Sequence, residues 1–123
     1  MVNTMKKYKL LKDQQIEHNG RTLYRIEAII DFSDVKCGDL GGYVENEYIL
    51  SHRGDCWLYD NAKAYNLSLI ECSAKIYDDS EISSSIVTGN IKVRGVSVIK
   101  NTSFLVGDVT IKDEVLDNVY VTM

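Results

Sequence analysis

The sequence predicts an all-β protein, a short single-stranded β-helix closed at one end by an N-terminal β-hairpin. Three observations carry this. Cys56, Ala62, Ser68, Ala74 and Ser80 recur every six residues as a column of small side chains. Leu58, Ala64, Ile70, Ile76 and Ile82 recur two places later as a mostly aliphatic column. A step of six suits neither a helix nor one long strand, and it marks a coil built from short strands. The third observation is Asn19-Gly20 between two apolar-rich runs. Asn-Gly is a strong hairpin signal, because both residues tolerate positive φ.

In a triangular coil three hexapeptides close a turn, so residues eighteen apart stack. Leu58 then lies over Ile76, Ala64 over Ile82 and Ile70 over Thr88. Each buried aliphatic contributes on the order of 2 kcal/mol at about 25 cal/mol per Å². Beyond Ile82 the step slips. Pairs recur at Ile91/Val93, Val96/Val98, Thr102/Phe104 and Val109/Ile111, while Gly89, Asn90, Gly95 and Gly107 fall where corners belong. Val119-Tyr120-Val121 reads as a last strand or an extension towards a neighbour.

Upstream, residues 1–5 read as a disordered start. The hairpin strands run from Lys6 to Glu17 and from Arg21 to Phe32. Tyr24, Ile26, Ala28 and Ile30 form the face that packs on the rest. A hairpin alone is marginal in water, so its expected job is to cap the open strand edges of the coil. Asp31 to Val44 reads as a loop with a tight turn at Gly38, Gly41 and Gly42. Its glycine spacing is neither a dinucleotide fingerprint nor a P-loop. The expected division is 1–55, hairpin and Gly-rich capping loop, and 56–123, hexapeptide β-helix. With no proline and no linker, the two form one continuous fold.

Hydrophobic content of 45% and charged content of 26% are ordinary for a globular domain. No run is long and apolar enough for a membrane span, and the charged start has no apolar segment behind it, so a cytoplasmic address is expected. Three widely spaced cysteines, Cys37, Cys56 and Cys72, fit a reducing compartment. Net charge is −4, with a cationic excess in residues 1–30 and an acidic excess in 31–60. Direct nucleic-acid binding is disfavoured, and steering towards a basic partner is allowed.

One stretch carries a family resemblance. Asp31-Phe32-Ser33-Asp34-Val35-Lys36-Cys37-Gly38 is followed by Gly41-Gly42-Tyr43-Val44 and Leu50-Ser51. Gly54-Asp55-Cys56-Trp57-Leu58-Tyr59-Asp60-Asn61-Ala62 completes it. This run resembles the bacterial YdcK-like proteins and their phage and prophage relatives, with their Asp-Phe-x-Asp-Val-Lys-x-Gly loop and Cys-Trp entry into hexapeptide repeats. The resemblance is specific over residues 31–65 and looser elsewhere. It implies a left-handed coil and supplies no catalytic residues.

Candidate sites are few. Left-handed hexapeptide coils often trimerise and use an intersubunit histidine as general base. Here His18 sits in the hairpin turn and His52 in a second turn, and neither falls on a coil face. No metal-ligand spacing links the cysteines and histidines. Cys56 reads as a core thiol; Cys37, beside Lys36 in a glycine loop, reads first as a structural residue, with an exposed, reactive thiol as the alternative. Tyr59, Tyr65 and Tyr77 follow inward residues and should point outward, with Tyr59 stacked on Tyr77. With Asp60, Asp78, Asp79, Glu81, Tyr43 and Tyr48 they make a candidate interface patch. A tyrosine ladder that merely braces the sheet explains the stack equally well.

The expected function is therefore non-catalytic. It is a protein–protein interaction protein of phage or mobile-element type, an anti-CRISPR-like inhibitor that engages a host nucleoprotein complex through an acidic tyrosine face. It uses no cofactor and self-associates as a dimer or trimer. The alternatives are a hexapeptide-type acyltransferase and a structural module of a phage or surface assembly.

Overall fold

The computed structural model describes residues 5–122, so most of the expected disordered start lies outside the described residues. Within them the protein is all-β without a helix, a stack of about four coils. The hairpin is β1 (Tyr8–His18) and β2 (Arg21–Ala28), followed by β3 (Leu40–Val44). One side of the coil is β5 (Lys63–Tyr65), β8 (Glu81–Ser83), β10 (Val98–Lys100) and β12 (Val115–Asp117). A second side holds β4 (Trp57–Leu58), β7 (Lys75–Ile76) and the later halves of β9 (Ile86–Arg94) and β11 (Phe104–Lys112). The third holds β6 (Leu69–Cys72), the first halves of β9 and β11, and β13 (Tyr120–Thr122).

The six-residue rule has a backbone cause. Gly54, Asp60, Asn66, Cys72, Asp78 and Ser84 all have positive φ, six residues apart. Each turns a corner, and polar side chains tolerate that conformation better than branched ones. Leu58 pairs with Ile76 and Ala64 with Ile82, as eighteen-residue stacking requires. Ile70 pairs with Val87 rather than Thr88, because the coil shortens by one residue there. The glycine corners at 89, 95 and 107 fall where the sequence puts them. At Gly89 a side chain has no room, since a Cβ would lie 2.5 Å from the Gly107 carbonyl oxygen in the next coil.

Both inward columns are buried from Cys56 to Ile82 and continue beyond it. Two of the later pairs are out by one. Ser97/Ile99 and Ser103/Leu105 face inward, and Val96 is 65% exposed. The hydroxyls explain how serine occupies a dry column. Ser97 Oγ donates to the Arg94 carbonyl (2.9 Å) and accepts from Glu114 N in the next coil (3.2 Å). Ser103 Oγ donates to the Lys100 carbonyl (2.9 Å) and accepts from Val119 N (3.1 Å). Buried polar groups are tolerated when bonded in this way.

The hairpin extends the first sheet, with β2 antiparallel to β3 and β3 parallel to β5. Its packing face is the predicted one at Ile26 and Ala28 and departs from it earlier in the strand. Leu23, Ile26 and Ala28 are buried, whereas Tyr24 turns out under the Lys12 ammonium. Register shifts between Leu11 and Gln15 and between Arg25 and Glu27 change the side that faces the core. Residues 40–44 are likewise a strand instead of loop. Gly41 and Gly42 mark close approach rather than a turn. A Cβ on Gly41 would lie 2.7 Å from both Trp57 Cζ2 and the Leu58 oxygen, and one on Gly42 would strike the Ala62 carbonyl.

Candidate functional site

The stretch that carries the family resemblance builds the floor of the molecule. Phe32 packs edge-on against Trp57 at 5.2 Å, and Trp57 meets Tyr8 at 6.1 Å. Asp31 Oδ1 accepts Cys37 N, and Tyr59 donates to Asp34. Cys56 is a core thiol, as expected, and the amine of the buried Lys7 bonds the Cys56 carbonyl at 2.6 Å. Burial holds the Lys7 pKa down and pushes the Cys56 thiol up. Cys37 and Cys72 are exposed thiols.

The two histidines have opposite surroundings. His52 lies flat on Tyr8, with ring centroids 4.2 Å apart. Its Nδ1 accepts the Lys7 backbone N–H at 3.1 Å, which places the proton on Nε2, 3.4 Å from Glu47 Oε2. Nε2 is buried without a well-formed hydrogen bond. Burial lowers the His52 pKa. With one nitrogen accepting from backbone and the other protonated, this ring has no lone pair for general-base work.

His18 keeps one. The last residue of β1 sits before the Asn19-Gly20 turn, where both residues have positive φ. This turn brings the imidazole onto β8, with Nε2 at 2.9 Å from Glu81 Oε1. A carboxylate accepts only, so Nε2 carries the proton and Nδ1 is left with its lone pair. Among the described residues, Nδ1 has no hydrogen-bond partner. Tyr65 supports the pair: its hydroxyl donates to Glu81 (2.7 Å) and accepts from Asn19 (2.9 Å), and its ring meets the imidazole edge-on at 5.3 Å. Burial opposes ionisation of Glu81, but the bonds from His18 and Tyr65 prevail and its pKa falls. An open cleft of about 560 Å³ begins at the next residue, lined by Asn19, Gly20, Arg21, Thr22, Tyr24 and Glu45.

The tyrosine patch divides between two places. Tyr59 and Tyr77 stack at 4.5 Å, as the repeat requires. Asp60 and Asp78 lie at the adjoining corners, beside exposed Asp79. Tyr65 points away from the coil axis yet is 6% exposed, because the hairpin tip covers it. With Glu81 it belongs to the histidine cluster. Tyr43 lies under the Arg25 guanidinium, and Tyr48 stands alone at 85% exposure. On sequence, His18 is no more than a polar turn residue. Its meeting with Glu81, sixty-three residues away, depends on how the hairpin docks and has no local signal.

Among the described residues no cluster of three or more metal-ligating side chains occurs, and no helix is long and apolar enough to cross a membrane. No protein-family model matches the chain. It is 31% identical over 103 residues to a protein of Escherichia coli (strain K12) named as the uncharacterized acetyltransferase YdcK. The match covers 77% of this chain and 26% of that protein. It says nothing of phage or prophage relatives. The expectation of a non-catalytic, anti-CRISPR-like inhibitor is corrected by this match, because the relative's name is that of an enzyme. Sequence similarity and the stack of coils agree that the chain is a YdcK-like hexapeptide-repeat β-helix.

Proposed function

We propose that this protein is an acyltransferase of the hexapeptide class, with His18 as its general base. The similarity to a protein named as an acetyltransferase carries the reading. The free Nδ1 of His18, beside an open cleft, supports it from the geometry. The donor is an acyl coenzyme A and the acceptor carries an amine or hydroxyl.

Nδ1 takes the acceptor proton as the acceptor atom attacks the thioester carbonyl. The tetrahedral adduct collapses, the carbon–sulfur bond breaks, and the imidazolium returns its proton to the leaving thiolate. Glu81, ionised at neutral pH, holds the ring and steadies its positive charge. Self-association belongs to the proposal, since a second copy beside the hairpin tip would wall the cleft. A coenzyme A donor accords with a cytoplasmic address.

The test mixes the purified chain with acetyl-coenzyme A and a panel of amino and hydroxyl acceptors. Free coenzyme A is followed by chromatography, because exposed Cys37 and Cys72 would interfere with a thiol reagent. His18→Asn should lower turnover about a hundredfold or more, the scale of a lost general base. His52→Asn should keep turnover while lowering the melting temperature. Acetyl-coenzyme A that neither raises the melting temperature nor is consumed with any acceptor overturns the proposal.

A further inference from the structure

The outer face of the second side carries a charge pattern that folding alone disfavours. Its inward residues are Ile76, Val93 and Ile111, so the residues flanking them face out. Lys75 pairs directly with Lys92 across one ladder step. Arg94 pairs directly with Lys112 across the next. Like charges opposite one another destabilise a sheet. Two such pairs on adjoining coils stand out in a chain of net charge −4. Among the described residues none of the four is in an ion pair.

Two of the four are held in place. Lys75 Nζ donates to Ser33 Oγ at 2.9 Å, and the Arg94 guanidinium lies over the Tyr77 ring at 4.4 Å. Tyr77 is itself stacked on Tyr59, so the aromatic faces are occupied and act as a shelf rather than a berth for a base. Coils are about 4.8 Å apart and alternate residues about 7 Å apart along a strand, which confines the charges to a patch roughly 10 Å by 7 Å.

We infer that this face is a binding site for a compact polyanion, a diphosphate group, held by Lys75, Lys92, Arg94 and Lys112. A longer phosphate chain fits poorly, because the adjoining corner carries carboxylates. Asp78 accepts Gly95 N and Asp113 accepts Val96 N, so backbone bonds hold both acids there. Diphosphate matches four cations gathered on one small face, and arginine and lysine are its natural donors. It has two sources, the diphosphate of coenzyme A or that of a nucleotide-borne acceptor. Only the first rests on the acyl-transfer reading.

The test titrates the whole chain with inorganic diphosphate, coenzyme A and a uridine diphosphate sugar, read by calorimetry at low salt. Lys92→Glu and Arg94→Glu should each weaken diphosphate binding about tenfold or more, the scale of replacing a charge-assisted hydrogen bond by repulsion. Lys100→Glu, on the first side, should not. Lys92→Glu should not lower the melting temperature of the free protein, because it relieves repulsion, whereas Arg94→Glu also gives up the contact with Tyr77. Tighter binding of coenzyme A than of diphosphate, abolished in the same variants, assigns the site to the donor. Binding of the sugar nucleotide with coenzyme A excluded keeps the site and assigns it to the acceptor. Equal diphosphate affinity in wild type and both variants, or no binding of diphosphate at all, overturns the inference. Coenzyme A and diphosphate that both bind all variants alike leave acyl transfer standing and remove this site alone.

Discussion

Ile76 shows how much one position of this coil carries. It is fully buried between Leu58 below and Val93 above. Ile76→Asp places a carboxylate where no donor reaches it, so the loss should exceed about 4 kcal/mol, and chemical denaturation should find no folded baseline. His52 gives a gentler, pH-dependent test. Burial sets its native pKa below the unfolded value of 6.5. Its contribution is therefore fully present above pH 6.5, and it declines as pH falls towards the native pKa, where the unfolded chain binds more protons. Denaturation midpoints followed downward from neutral pH should show that decline, and His52→Asn should flatten it. At this scale the sequence is readable wherever a residue's job repeats. The inward columns and the Tyr59–Tyr77 stack follow from period alone. The coverage of Tyr65 and the role of His18 do not, because both depend on a segment far away in the chain.

The elements are held by bonds between coils more than by bonds within them. Ser97 and Ser103 are examples: each hydroxyl donates to its own corner and accepts from the next coil. Ser103→Ala would leave the Val119 N–H without its partner, while the Lys100 carbonyl keeps the Asn118 N–H. Equilibrium unfolding should record a loss of about 1–3 kcal/mol, the cost of a stranded buried polar group. Gly42→Ala tests a different junction. Its Cβ meets the Ala62 backbone, which cannot swing aside as a side chain can. The β3–β5 pairing should open, visible as faster amide exchange at Tyr43 and Glu45, whose N–H groups donate to Ala62 and Ala64. Serine inside and valine outside also explain the misplaced pairs after Ile82. Hydrophobicity names Val96 and Val98, whereas the corner backbone places Ser97 and Ile99 inward. The strand at 40–44 is hidden in the sequence because glycine, which usually marks a turn, here marks close approach of backbones.

The whole molecule explains its own charge asymmetry. The cationic hairpin and the acidic segments answer one another. Lys6 pairs with Glu47 and Arg21 with Glu45, and the neutral His18 ring donates a hydrogen bond to Glu81. Acidity that invites a foreign basic partner on paper is thus partly neutralised inside the fold. All three glutamates have pKa values below 4.5. For Glu47 the Lys6 bond leads. For Glu45 and Glu81, burial works the other way and hydrogen bonds overcome it. Groups with depressed pKa values stabilise above their unfolded pKa and lose that contribution as pH falls through the native one. Acid below about pH 4.5 should therefore free the hairpin first, by carboxylate linkage. Hydrogen exchange should show β1 and β2 losing protection while the β9–β11 ladder keeps it.

The positive-φ corners have a consequence for growth. Each corner resets the chain direction in the same way, so the molecule lengthens in whole coils, about 4.8 Å at a time. Cys72 pairs with Gly89, so residues 73–89 make one complete lap. A tandem copy of that lap presents the same columns and the same corner sequence to its neighbours. An insertion of half a lap puts the downstream columns out of step with the coil beneath them. Length along the axis is thus a quantised property of this architecture. Proteins of this architecture can therefore share one cross-section while differing in height.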